Sequence, residues 1–170
     1  MRPIAAPIVL MLIAASPAPS YDWRITPSGW GPVRMGMTRA QVSRVLHVEL
    51  QGNFIDNDGT CQELAGVDDA LLGLFFMFED GKLTRITATE PSTVATPRGM
   101  HVGSTVEEVG KAYGTGLKAE PHKYEDSPAE YLTYWLKPER SGVRFEVDMQ
   151  GKVESIHAGT SSIQYVEGCA

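Results

Sequence analysis

Cys61 and Cys169 are the only two cysteines in this 170-residue chain. In an exported protein an even pair reads as a disulfide, with two free thiols or a shared metal as the alternatives. Such a bond would close a loop of 108 residues, which the chain-entropy picture values at roughly 4–5 kcal/mol. A metal pair needs further ligands at close spacing, and no second Cys or nearby His supplies one. If the disulfide forms, no cysteine remains as a nucleophile.

The other residues able to do chemistry are scattered. His47, His101, His122 and His157 form no His-x-His or His-Glu-x-x-His pattern. His101, His122 and Tyr124 could meet in a groove and serve a hydrolase. No serine lies in a Gly-x-Ser-x-Gly elbow, and no two acids have a spacing that marks an acid/base couple. The stretch Asp56 to Thr60 has part of a calcium-loop pattern but lacks the later bidentate Glu, so it reads as an Asx-rich turn. Gly114 and Gly116 lack the preceding strand that a phosphate loop requires. No metal and no cofactor is expected.

Residues suited to binding are easier to find. Leu74, Phe76 and Phe78 alternate with Phe75 and Met77 along one strand candidate. Matching Phe75 and Met77 to Phe145 and Val147 puts those four toward the helices. It leaves Leu74, Phe76 and Phe78 on the opposite face, either as a docking patch or covered by the segment with Trp23 and Trp30. Tyr131 and Trp135 share a strand face and would stand beside Arg144 and Glu146, a set of the kind enriched in binding hot spots.

These side chains are positioned by elements that occur twice. Gly36, Thr38, Gln41 and Val42 recur 67 residues on as Gly103, Thr105, Glu108 and Val109. Phe75, Gly81, Lys82, Ile86 and Ala88 recur 70 residues on as Phe145, Gly151, Lys152, Ile156 and Ala158. Thr38-x-x-Gln41 and Thr105-x-x-Glu108 are capping boxes that start helices. Asp80-Gly81 and Gln150-Gly151 mark hairpin turns. The expected fold class is therefore α+β: a tandem repeat of a helix plus a small antiparallel β-meander, with both helices on one face of the sheet. Residues 21–90 form the first unit with an N-terminal strand, 91–99 a linker broken by Pro91 and Pro97, and 100–170 the second unit with its tail.

Residues 1–20 read as a signal peptide. Arg2 is followed by a 12-residue apolar run from Ile4 to Ala15 and by small residues before Tyr21. The chain carries 15 Lys+Arg against 21 Asp+Glu, a net charge of −6, and losing Arg2 makes it −7. Nucleic acid, which is bound through a basic surface, is excluded as a partner. No later stretch is apolar enough to span a bilayer, so the expected location is periplasmic or secreted.

The stretches Val33–Val42 and Val102–Val109, each followed by a Gly-centred hairpin, resemble the SmpA/OmlA-type envelope proteins and the tandem-repeat β-lactamase inhibitor proteins. The resemblance implies helical segments packed on an antiparallel sheet whose surface binds another protein, and it brings no catalytic residues. One departure is that the first family's lipoproteins carry a cysteine after the signal, and this chain has none there. The function expected is a non-enzymatic binding or inhibitory module whose partner is another envelope or secreted protein.

Overall fold

The computed structural model describes residues 22–55 and 59–169. The signal-peptide segment 1–20 and the Asp56 to Asp58 part of the calcium-like turn lie outside the described residues. Three two-residue strands come first: β1 (Ile25–Thr26), β2 (Gly29–Trp30) and β3 (Val33–Arg34), which form a small antiparallel sheet. Helix α1 (Arg39–Leu46) precedes β4 (Leu50–Ile55), β5 (Cys61–Gly66), β6 (Leu74–Glu79) and β7 (Lys82–Thr89). Helix α2 (Val106–Tyr113) precedes β8 (Leu117–Pro121), β9 (Glu130–Lys137), β10 (Ser141–Val147) and β11 (Val153–Gly159).

Both helices begin where the capping boxes put them. Thr38 and Gln41 exchange hydrogen bonds at the start of α1, as Thr105 and Glu108 do at α2. Each helix is only eight residues long, because His47 turns left-handed after α1 and Gly114 takes a positive φ after α2. Val42 and Leu46, and Val109 and Tyr113, are the residues they bury.

The expected α+β tandem repeat is not the architecture. The chain is mainly β, with eleven strands among the described residues, in a three-stranded and an eight-stranded antiparallel sheet, and two short helices. The large sheet runs in the order β4-β5-β6-β7-β11-β10-β9-β8. Two physical facts produce the difference. Residues 50–55 and 117–121, whose polar or Gly-containing composition hides them, pair as outer strands. In addition, β7 pairs with β11 from Thr89↔Ser155 to Arg85↔Gly159, so hydrogen bonding continues across the middle.

One interior lies on the helix side of this sheet. Leu74, Phe76 and Phe78 are at most 2% exposed and cluster with Trp30, Val42, Val109 and Phe145. The expected facing of β6 is thus reversed. Phe78 pairs with Leu83, five residues on, whereas Val147 pairs with Val153, six residues on. The second turn is one residue longer, so Phe76, not Phe75, corresponds to Phe145. A shift of one residue moves every strand side chain to the opposite face.

Candidate functional site

The other face of the large sheet is polar and is built from three rows that run across the strands. Opposed residues in an antiparallel pair share a face. The first row is Glu120, Tyr131, Glu146, Ser155 and Thr89. The second is Thr133, Arg144, His157, Thr87 and Phe75. The third is Trp135, Gly142, Gly159, Arg85, Met77 and Glu63.

A strap formed by residues 160–169 lies over the third row. It enters through Thr160, whose N–H donates to Thr84 O at 2.8 Å. A 3₁₀ turn at Ser161–Gln164 follows, with Ile163 fully buried. Gly142 makes room for it, since a Cβ there would stand 3.2 Å from Ile163 Cδ1. Arg85 holds the strap from below. Its Nη1 donates to Ser162 O at 3.2 Å and Tyr165 O at 2.9 Å, and its Nη2 donates to Glu63 Oε1 at 3.0 Å. The side chain is 3% exposed, and its Nε is buried without a hydrogen-bond partner. The Cys61–Cys169 disulfide closes the strap onto β5.

Glu146 is the centre of the uncovered part. Oε1 accepts from His122 Nε2 at 2.9 Å. Oε2 accepts from Ser155 Oγ at 2.8 Å and from His157 Nε2 at 3.4 Å. Burial alone would raise this carboxyl, but hydrogen bonds from His157, His122 and Ser155 outweigh it and bring it down to about 2. Burial pulls the His157 imidazole below its ordinary value, against the pull of Glu146. The Thr87 hydroxyl lies 2.9 Å from His157 Nδ1 and serves as donor there, leaving the ring proton on Nε2.

The tautomer of His122 follows from its neighbours. Its Nδ1 accepts backbone N–H bonds from Tyr124 at 3.2 Å and Glu125 at 3.0 Å, so Nε2 carries the proton given to Glu146. The ring stacks on Tyr131 with centroids 4.7 Å apart. Ligand atoms of His122, Glu146 and Glu154 lie within 4.8 Å of one another, a grouping able in principle to hold a metal ion. His122 does not suit that role. With two donors aimed at Nδ1, binding a metal at Nε2 would demand an imidazolate.

Glu146 accepts from three donors, and Ser155 spends its proton on Glu146. His157 offers Ser155 an N–H and not a basic lone pair. His101 is not part of this network; it lies before α2 with its Nδ1 2.7 Å from Val102 O. Tyr124 is largely exposed beside His122. Between strap and sheet runs a groove of about 470 Å³. Its lining carries the carboxylates of Glu63, Glu146, Glu154 and Glu167 against one guanidinium, that of Arg85, already paired with Glu63. Burial and the neighbouring Glu146, Glu125 and Asp148 all push the Glu154 carboxyl upward, which marks the excess negative potential.

Of the residues singled out from sequence, Leu74, Phe76 and Phe78 are interior and out of a partner's reach. Tyr131, Trp135, Arg144 and Glu146 share the polar face. Arg144 lies 4.0 Å over the Tyr131 ring and donates to Glu120 Oε2 at 3.1 Å, which leaves both residues buried. Trp135 is half-buried. Sequence reasoning missed Arg85, Thr87 and Ser155 and left His157 among the scattered histidines. The signal was the polar parity of β7 and β11, where Arg85, Thr87 and Thr89, and Ser155 and His157, sit two residues apart. No helix among the described residues is long and apolar enough to cross a membrane. No protein-family model, curated protein or solved structure matches the chain.

Proposed function

We propose that the protein is an exported, non-catalytic binding or inhibitory module of the cell envelope that docks its partner on the polar sheet face. The disulfide is compatible with export. The observation that carries the reading is the charge of the groove. Four carboxylates meet one guanidinium already engaged by Glu63 and, beyond the lining, the exposed Lys123 ammonium at Glu167, and the buried His157 adds no compensating charge. A concave, negative, water-accessible slot favours a cationic insert, because low-dielectric walls focus the field. The partner is therefore a protein that presents a Lys- or Arg-bearing loop or strand, with Phe75 on the groove wall meeting the aliphatic stem of such a side chain.

Site-specific photo-crosslinking in intact cell envelopes tests this. A crosslinker at Glu154 or Thr89 should trap one protein in a salt-sensitive manner, and one at Glu107 on the helix side should not. Equal trapping from both sides, or none from the groove, overturns the proposal.

A further inference from the structure

We infer that the Cys61–Cys169 bond is a site of reversible reduction by a dithiol protein, and that reduction opens the groove by releasing the strap. The inference rests on the docking reading only for its consequence, since the chemistry belongs to the strap itself.

Three observations carry it. First, strand pairing in the large sheet and the main apolar cluster do not include the bond. Neither cysteine belongs to the interior apolar cluster, and all eight strands of the large sheet are paired through the backbone. Second, among the described residues the strap beyond Tyr165 has few ties to the sheet. Residues 166–169 form a turn of their own, with no backbone–backbone hydrogen bond to the sheet among the described residues. Their other polar tie is the exposed Glu167–Lys123 ion pair at 3.4 Å, of a kind that contributes little. Upstream, Arg85 still grips the carbonyls of Ser162 and Tyr165. Release would therefore begin after Tyr165. Third, both cysteines line a second cleft of about 540 Å³, with Glu79, Lys123 and Tyr165 on its walls. Cys169 is buried and Cys61 is half-buried, so an incoming thiolate would reach the bond from the Cys61 side, and access is one condition for exchange.

The step balances as thiol–disulfide exchange. One thiolate of the dithiol attacks a sulfur of the pair and forms a mixed disulfide, and the displaced sulfur takes up a proton. The second thiol of the reductant then resolves the mixed bond. Cys61 and Cys169 end as two thiols, and the reductant is oxidised to a disulfide. The groove loses Val166, Glu167 and Gly168, which are its wall on that side, and with them one of its four carboxylates.

The test uses the protein from residue 21 onward, oxidised and then treated with a thioredoxin-type dithiol protein, followed by Glu-specific proteolysis, hydrogen exchange and binding of a Lys-rich peptide. Reduction should expose the peptide bond after Glu167 to a Glu-specific protease, read by mass, while amides of β6, β7, β10 and β11 stay protected from exchange. Peptide binding should weaken about tenfold, as expected for losing one charged contact. The Cys61→Ser/Cys169→Ser protein should match the reduced form and ignore the dithiol. Unchanged cleavage after Glu167 following full reduction, collapse of protection in the central strands, or a bond that the dithiol cannot reduce overturns the inference. An oxidised protein that never binds the peptide sinks the docking reading instead, and the cleavage measurement still decides the strap.

Discussion

His122 Nε2 donates to Glu146 Oε1 at 2.9 Å, which ties the segment between β8 and β9 to the middle of β10. The same carboxylate is the acceptor for Ser155 and His157 on β11. One ionised group thus holds three pieces of the polar face, and that sets how the protein responds to acid.

Glu146 sits at about 2 when folded, against an ordinary value of 4.5. Its contribution is fully present above about 4.5 and disappears as pH falls through about 2; the gap corresponds to roughly 3 kcal/mol. His157 is lowered by burial. It too favours the folded state at high pH, and that contribution begins to fade as pH drops below about 6.5, where the unfolded imidazole takes a proton. Melting temperature should therefore fall in two stages between pH 8 and pH 2. Glu146→Gln should be less stable at pH 7 and lack the lower stage. A wild-type melting temperature that holds constant from pH 8 to pH 3 would contradict both assignments.

The facing of β6 makes a second contrast. Phe76→Ala empties a fully buried site and should cost about 3–5 kcal/mol in urea unfolding. Phe75→Ala, half-buried on the groove wall, should cost about 1 kcal/mol. Equal losses would mean that the faces are misassigned.

That contrast also shows where the sequence was readable. Thr38, Gln41, Thr105 and Glu108 announce both helix starts, because a capping box is local chemistry. Asp80-Gly81 announces its hairpin for the same reason, with both residues at positive φ. The face of β6 was not readable, because the extra residue in the turn between β10 and β11 sits far from Phe76 and breaks no local rule. Strands β4 and β8 were hidden because outer strands need no continuous apolar pattern. Within the site, Glu146 stood out as a charge beside an aromatic. Arg85, Thr87, Ser155 and His157 come from two strands about 70 residues apart, and only the β7–β11 register brings them together.

Arg85 is the strap's anchor, so its loss should act at a distance. Arg85→Leu leaves Glu63 without its partner and two strap carbonyls without donors. It should cost about 3 kcal/mol, the low end for breaking a buried pair. Hydrogen exchange at Tyr165, whose N–H donates to Ser162 O, should rise well beyond the global change. Arg85→Lys should recover less than half, because a single ammonium cannot match a fork that serves Glu63 and two carbonyls together. Full recovery by lysine would show that charge alone matters there.

Gly159 lies where β7, β11 and the strap meet, opposite Arg85. Its φ is +155°, and a Cβ would fall 2.1 Å from Thr84 O and 2.9 Å from Arg85 Cα. Both atoms are backbone, so no side-chain rotation relieves the clash. Thr84 O also accepts the Thr160 N–H at 2.8 Å and the Thr160 hydroxyl at 3.2 Å. Pushing that carbonyl away would break the strap's entry and the end of the β7–β11 ladder at once. Gly159→Ala should therefore lose about 2–3 kcal/mol, in the range of overpacked sites, with faster exchange at the Thr160 amide. Gly151→Ala is the control. It has a positive φ but open space around the missing Cβ, so it should cost only about 1 kcal/mol. If the two alanine variants unfold at the same urea concentration, the close approach of β11 to Thr84 is not the constraint that holds the strap in place.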